Sequence, residues 1–151
     1  MKISIVIPIY NVEKYILNCL LSIVNQKKTI HTIECILVDD CGNDNSIKIA
    51  SDFIKQHGKD IEFKLIKHKY NRGLSAARNT GISACSGDYV LFLDSDDTLP
   101  EDSIYNLSNP LDSYPYDFVI GEVEVLGAVK VTPSLLLEEG AYMVNKIIRE
   151  T

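Results

Sequence analysis

The 151-residue sequence has no tryptophan, no Cys-x-x-C pair, no long apolar run and no basic stripe. Each absence excludes something. A membrane-spanning helix needs about 18 consecutive apolar residues, and no such run occurs. Met1-Lys2 leads straight into a short apolar segment broken by Pro8, which is not the pattern of a secretory leader. Cys19, Cys35, Cys41 and Cys85 show neither zinc-site nor redox spacing. Cys19 and Cys35 fall in apolar segments where a free thiol acts as a small hydrophobe, so a reduced, cytosolic protein is expected. Neutralising nucleic-acid phosphates takes clustered Lys and Arg, whereas here they are scattered in a chain of net charge -6, so no nucleic-acid partner is expected. There is no internal repeat and no low-complexity tract. What remains, 46% hydrophobic and 24% charged, suits one structural domain with a sizeable core.

The stretch that stands out is Tyr89 to Thr98, Tyr-Val-Leu-Phe-Leu-Asp-Ser-Asp-Asp-Thr. Five apolar residues read as a strand buried on both faces, and three carboxylates arrive where it ends. Two carboxylates about 5 Å apart repel by roughly 3 kcal/mol at an effective dielectric of about 20. Asp94, Asp96 and Asp97 therefore call for a cation. Oxygen-only ligands suit Mg²⁺ or Mn²⁺, which fills its other positions with water and substrate phosphate, so a diphosphate ligand is implied.

In chain order, Ile3 to Ile9 reads as a buried strand, closed by Pro8 and Asn11. Asn11 is a candidate N-cap for a helix whose inner stripe is Ile16, Leu20, Ile23 and Val24. Ile33 to Val38 is a second strand running into Asp39-Asp40 and a turn-rich Cys41-Gly42-Asn43-Asp44. Ile47, Ala50, Phe53, Ile54 and His57 repeat with helical spacing, and Gly58 stands where a C′ residue belongs. Ile61, Phe63 and Leu65 alternate with polar residues, the mark of a third strand nearer the sheet's edge. Asn71-Arg72-Gly73 opens a helix over Leu74 to Ala84, and Gly87 ends the link to the acidic strand. Thr98-Leu99-Pro100-Glu101 fits a capping box, so a helix with Ile104 and Leu107 inside should start beside the carboxylates. Ser108 to Tyr116, with two prolines, is the nearest thing to a linker. Phe118 to Leu126 reads as a strand, Gly127-Ala128 as a turn into Val129-Lys130-Val131, and Ala141 to Arg149 as a last helix.

Strand and helix alternate through the first hundred residues, which predicts an α/β fold with a mostly parallel central sheet flanked by helices. Ligands of such sheets bind outside the carboxyl ends of the strands. Three polar clusters lie there: Pro8-Ile9-Tyr10-Asn11, Asp39-Asp40, and Asp94 to Asp97.

These motifs resemble the family 2 glycosyltransferases, whose catalytic domain has the GT-A fold. The matching stretches are Val6-Ile7-Pro8-Ile9-Tyr10-Asn11, Ser22-Ile23-Val24-Asn25-Gln26, Ile36-Leu37-Val38-Asp39-Asp40, Asn71 to Asn79 (Asn-Arg-Gly-Leu-Ser-Ala-Ala-Arg-Asn), and Gly87 to Asp97. They come in the family's order. The resemblance implies metal-dependent, inverting transfer of a sugar from a nucleotide-diphosphate donor, a UDP-sugar in the commonest case, to a hydroxyl of a glycan acceptor in polysaccharide biosynthesis. It implies that Pro8, Tyr10, Asn11, Glu13, Asp40, Gly73, Arg78, Asp94 and Ser95 bind the donor. Tyr10 would frame the base, Asp40 would accept from its edge, and Arg78 would approach the phosphates or base. Asp94 and Asp96 form the D-x-D pair. Asp96 would ligate Mn²⁺ or Mg²⁺, with Asp94 holding the ribose or a metal-bound water and Asp97 as the alternative ligand. A cytoplasmic location is implied, with the cytoplasmic face of the membrane as the working position of a longer protein.

Two departures from the family pattern stand out. Cys41-Gly42 replaces Gly-Ser after the paired acids, which should alter the turn more than the chemistry. The family also continues into an acceptor-binding half that supplies the general base, expected here beyond Thr151. Residues 1–126 are thus expected to be the donor-binding part and 127–151 the incomplete start of the acceptor part, and a donor-binding module without turnover is the alternative. Rival readings fit less well. Thr98 and Leu99 stand where a Ca²⁺ loop needs a ligand and a turn glycine, and a receiver domain would not need Asp94 to Asp97. A nucleotidyltransferase would carry a Gly- and Lys-rich loop where Tyr10-Asn11-Val12-Glu13-Lys14 stands. His31, His57 and His68 lack metal-ligand spacing, Glu122 and Glu124 read as the solvated face of a strand with a catalytic base as the alternative, and Arg72 reads as a surface charge or, in place of Arg78, as the phosphate contact.

Overall fold

Strand β1 (Lys2–Ile9) is buried over seven consecutive residues, so both of its faces must be covered. The computed structural model describes residues 1–27, 30–58, 61–114, 116–120 and 142–145. In it β1 pairs in parallel with β2 (Thr32–Asp39) on one side and β4 (Tyr89–Phe92) on the other. Beyond β2 lies parallel β3 (Glu62–Lys67), and beyond β4 lie β6 (Tyr142–Asn145) and β5 (Phe118–Ile120), both in antiparallel pairings. The order is β3-β2-β1-β4-β6-β5, with β3 at an edge as its alternating pattern predicts.

Side-chain alternation splits the core in two. Ile3, Ile5, Ile7 and Ile9 face one layer with Ile16, Cys19, Leu20 and Ile23 of α1 (Ile16–Val24), Ala50 and Phe53 of α2 (Ser46–His57), and Ile104, Leu107 and Leu111 of α4 (Ser103–Ser113). Val6, Ile36, Val38 and Val90 face the other, where Ala77 of α3 (Leu74–Ala84) covers them. Gly81 lets α3 lie close: a Cβ there would sit 2.3 Å from Val6 Cγ1.

Several local expectations are corrected. Asn11 does not cap α1, which has Tyr15 at its N-cap. Asn11 is at φ 54, and its Oδ1 accepts from the Asn43 N–H, so its side chain ties the loop before α2 instead. Gly58 is at φ -68, not left-handed; glycine is needed there because a Cβ would meet the Ile54 carbonyl at 2.7 Å. Thr98-to-Glu101 is not a capping box. Leu99 N–H goes to Ser22 Oγ, and α4 starts at Ser103. The Ser108 to Tyr116 stretch is not a linker, since α4 runs through Pro110 to Ser113. The last helix is replaced, over Tyr142–Asn145, by the strand that covers the open edge of β4. Of the Phe118 to Leu126 strand the structure describes 118–120, and the Gly127 to Val131 hairpin and Glu122 and Glu124 lie outside the described residues.

Candidate functional site

Four parallel strands put their carboxyl ends on one side, and backbone hydrogen bonds fasten those ends together. Asp40 N–H donates to Ile9 O at 3.0 Å, His68 N–H to Asp39 O at 2.9 Å, and Leu93 N–H to Val6 O at 3.0 Å. Over these ends opens a cavity of about 450 Å³ lined by Pro8, Ile9, Tyr10, Asp40, Asn71, Gly73, Leu74, Ala77, Asp94, Ser95 and Asp96. Asp40 and Asp96, 56 positions apart in the chain, therefore share one wall system. Apolar Leu74 and half-exposed Tyr10 face the same space as three carboxylates, which suits a ligand that combines a flat ring with hydrogen-bond donors or a bound cation.

Asp40 is 3% exposed. His68 Nδ1 lies 2.6 Å from its Oδ1, Arg72 N–H donates to Oδ1 at 2.9 Å, and Gly73 N–H to Oδ2 at 2.8 Å. Burial alone would raise the carboxyl's pKa, but these donors outweigh it and hold Asp40 below the ordinary range. Gly73, at φ 85, is in the left-handed region open to glycine, and from there the chain enters α3. One carboxylate thus shapes the turn that forms a wall of the cavity.

The acidic loop is held by α1 and the residues just after it. Ser22 Oγ accepts from Leu99 N–H at 3.0 Å, and Gln26 donates to the Pro100 carbonyl at 2.7 Å and accepts from Ile104 N–H at 2.9 Å. The Cys19 thiol lies 3.8 Å from the Asp94 carbonyl. Burial, helped by the charges of Asp97, Asp96 and Asp94, pushes that thiol up to about 12, so it stays protonated and can donate. On the other side Arg78 Nη2 donates to Asp94 Oδ1 at 2.8 Å, and its guanidinium carbon lies 5.7 Å from the centre of the Phe92 ring. Arg78 Nε is buried and has no hydrogen-bond partner among the described residues.

Of the residues expected to bind the donor, Pro8, Tyr10, Asp40, Gly73, Asp94 and Ser95 line the cavity, as does Asp96 of the expected metal set. Four others lie outside the lining. Asn11 braces the Asn43 turn, and Glu13 Oε2 accepts from the backbone and side chain of Asn45 at 3.0 and 3.1 Å. Arg78 reaches the site through Asp94, and Asp97 sits at the exposed turn closed by its N–H to the Asp94 carbonyl.

Residues 4–145 match the model of the family described as Glycosyl transferase family 2. The chain belongs to that family. Among curated relatives, Glycosyltransferase GlyA of Streptococcus pneumoniae is 38% identical over 120 residues, 80% of this chain and 16% of that protein. Among solved structures, S. aureus TarS 1–349 matches with a TM-score of 0.83 at 23% identity, over 97% of this chain and 47% of that one. Its complex with UDP-GlcNAc gives 0.78 at 27%, over 91% and 39%. Mannosyltransferase PcManGT from Pyrobaculum calidifontis, in complex with GDP-Man and Mn²⁺, gives 0.70 at 22%, over 77% and 34%. The chain spans less than half the length of each of these proteins. The GT-A sheet implied by the sequence resemblance is the sheet observed.

For this family member a divalent cation is the implied cofactor, and its donor set can be tested. Among the described residues no three His, Cys, Asp or Glu side chains form a ready metal cage. Asp94 and Asp96 at the cavity supply oxygen donors only, and one oxygen of Asp94 is already engaged by Arg78. That set fits a hard cation taking one or two protein carboxylates and completing its shell from water and phosphate. No helix of the described residues is long and apolar enough to cross a membrane.

His68 is the residue sequence reasoning passed over. It is 5% exposed and joins Asp40 to Thr80 Oγ1, with Nε2 2.9 Å from the hydroxyl. Its one sequence signal is position: it directly follows a parallel strand, where ligand sites collect.

Proposed function

We propose that this chain is the donor-binding part of a glycosyltransferase that takes a sugar from a nucleotide-diphosphate donor, a UDP-sugar, to a hydroxyl of a glycan. The observation carrying this reading is the convergence of Tyr10, Asp40, Asp94 and Asp96 on one cavity at the carboxyl ends of parallel strands. The UDP-GlcNAc complex of the TarS structure supports the choice of uridine. Tyr10 frames the base, and Asp40, an acceptor with its charge secured, takes a hydrogen bond from the base edge. Ser95 and the Gly73 turn border the diphosphate, and Arg78 lies one residue layer behind as a guanidinium able to pair with it. Asp96, with Asp94 or Asp97, would hold Mg²⁺ or Mn²⁺, which when bound neutralises charge on the leaving diphosphate.

Among the described residues Asp40, Asp94 and Asp96 are the carboxylates of the lining, and each is given a donor or metal role in this reading, so the general base for an inverting displacement is sought outside them. This favours residues 1–126 as the donor part and later residues as the acceptor part, and donor binding without turnover by this chain alone. Four free cysteines fit a cytoplasmic working place. Calorimetry with UDP tests the reading. UDP should bind more tightly with Mn²⁺ than without, and Asp96→Ala should abolish the difference. UDP binding that Mn²⁺ leaves unchanged in the parent chain would end the metal assignment, and absence of UDP binding would end the donor assignment.

A further inference from the structure

A carboxylate offers about four acceptor positions. Three on Asp40 are used by His68 Nδ1, Arg72 N–H and Gly73 N–H, two of them on Oδ1 and one on Oδ2. The position left over is on Oδ2, and Asp40 lines the cavity although it is almost wholly buried. An ionised carboxylate has no proton to give, so the 2.6 Å contact places the proton on His68 Nδ1. The other ring nitrogen meets the Thr80 hydroxyl, so the imidazole is gripped at both ends.

We propose that His68, braced by Thr80, is a positioning residue that keeps Asp40 a fixed, acceptor-only group toward the nucleobase and thereby selects bases presenting an imide N–H. The proposal deepens the donor-site reading and rests on it. Uracil carries a donor at N3, which the free position of Oδ2 can accept. Cytosine carries a lone pair at N3, which would face the carboxylate's lone pair with no proton between them. Such a mismatch in a buried site disfavours the wrong base by about tenfold or more. Without the His68 N–H, the buried carboxylate keeps only the Arg72 and Gly73 N–H donors, one on each oxygen, so its charge is less well secured and a protonated or water-bridged form can serve cytosine. Selectivity then falls even where the fold survives.

The test is calorimetric titration of UDP and CDP, with Mn²⁺ present, into the unaltered chain, His68→Phe, His68→Asn and Thr80→Val, each with its thermal midpoint recorded. The unaltered chain should prefer UDP. His68→Phe should shrink the UDP-over-CDP ratio about tenfold. His68→Asn should keep most of the ratio, because an Asn amide nitrogen can take the place of Nδ1, and Thr80→Val should fall between them. A merely structural His68 would lower both affinities together and leave the ratio intact in every variant, and that result overturns the proposal. Should His68→Phe not fold, the Asn and Val variants carry the same comparison. If the unaltered chain binds UDP and CDP equally, the positioning role fails while the donor site stands. If it binds neither, the donor-site reading fails and takes this proposal with it.

Discussion

Arg78 Nη2 and Asp94 Oδ1 are 2.8 Å apart, so the acidic strand tip carries a counter-charge from its own chain. The repulsion among Asp94, Asp96 and Asp97 calls for a cation. Part of that cation is a guanidinium. The two side chains are 36% and 41% exposed, so the pair is screened and worth under about 1 kcal/mol to stability. Its effect falls on ligands instead, because one Asp94 oxygen is withheld from any metal until Arg78 lets go.

Arg78→Met should therefore leave stability to urea within about 1 kcal/mol of the parent. Mn²⁺ affinity measured without nucleotide should rise, because an acidic pair has lost its competing cation. UDP affinity in the presence of Mn²⁺ should fall about tenfold, the loss of one charge-assisted contact. Titration calorimetry with each ligand reads both. Weaker Mn²⁺ binding in the variant would show that Arg78 supports the metal ligands rather than competing with them.

Glu34, at the opposite end of the sheet from the cavity, predicts the acid limit of the fold. It is fully buried, and Ser4 Oγ, Ser86 N–H and Oγ, Lys2 Nζ and Lys64 Nζ all point at its carboxylate. Burial would raise its pKa, but these five contacts together hold it far below the ordinary carboxylate range. A depressed folded pKa means the unfolded chain binds the proton first. The stabilisation is thus complete above the unfolded value of about 4.3 and drains away as pH falls below it. Glu34→Gln should cost about 2 kcal/mol at pH 7, since Lys2 and Lys64 are partly exposed and can rehydrate. The variant should also lose less stability than the parent between pH 5 and 3. Urea midpoints across that range decide it, and parallel acid limbs would remove Glu34 from the account.

What was legible in the sequence was whatever depended on neighbours along the chain. Ile3 to Ile9 could be read as a doubly buried strand because every position is apolar or small, and Asp94 to Asp97 could be read as a strand tip because the acid follows the apolar run directly. Tyr142–Asn145 could not be read as strand, since what makes it one is the open edge of β4. Thr98 to Glu101 has the letters of a capping box, yet α4 starts only at Ser103, and the Leu99 N–H in that stretch goes to Ser22, 77 positions away. His68 escaped for the same reason: its partners Asp40 and Thr80 lie 28 and 12 positions off, and neither spacing repeats as a motif.

Cys41 tests the departure from the family's glycine after the paired acids. It is at φ 64, where a residue with a Cβ is strained by roughly 1–2 kcal/mol. Its N–H donates to Asp39 Oδ1 at 2.9 Å, a contact glycine keeps, and its sulfur makes one long contact to the Lys69 carbonyl at 4.0 Å. Glycine's extra freedom in the unfolded chain gives back about 0.4–1 kcal/mol. Cys41→Gly should therefore stabilise the fold by about 0.5–1 kcal/mol, seen as a higher urea midpoint with an unchanged slope. A lower midpoint would mean the thiol packs better than its contacts indicate.

The close approach of α3 to the sheet at Gly81 bears on how Arg78 and the Gly73 turn are held in place. A Cβ on Gly81 would stand 2.3, 3.2 and 3.3 Å from Cγ1, Cγ2 and Cβ of Val6, a clash with a stiff β-branched side chain in the middle of β1. Val6 is fully buried with Ala77 on the same face, so it has little room to turn away. Gly81→Ala should thus lift α3 and cost about 1–3 kcal/mol, despite alanine's better helix propensity. Because Gly73 opens α3 and Arg78 lies within it, UDP affinity should drop together with stability. Val6→Ala alone should cost about 1–2 kcal/mol for the methyl groups it removes. Combined with Gly81→Ala it should recover at least about 1 kcal/mol relative to the sum of the two single changes, because the new methyl group fills the space that valine leaves. A double-mutant cycle by urea unfolding measures this coupling, and simple additivity would show that α3 is positioned by something other than this contact.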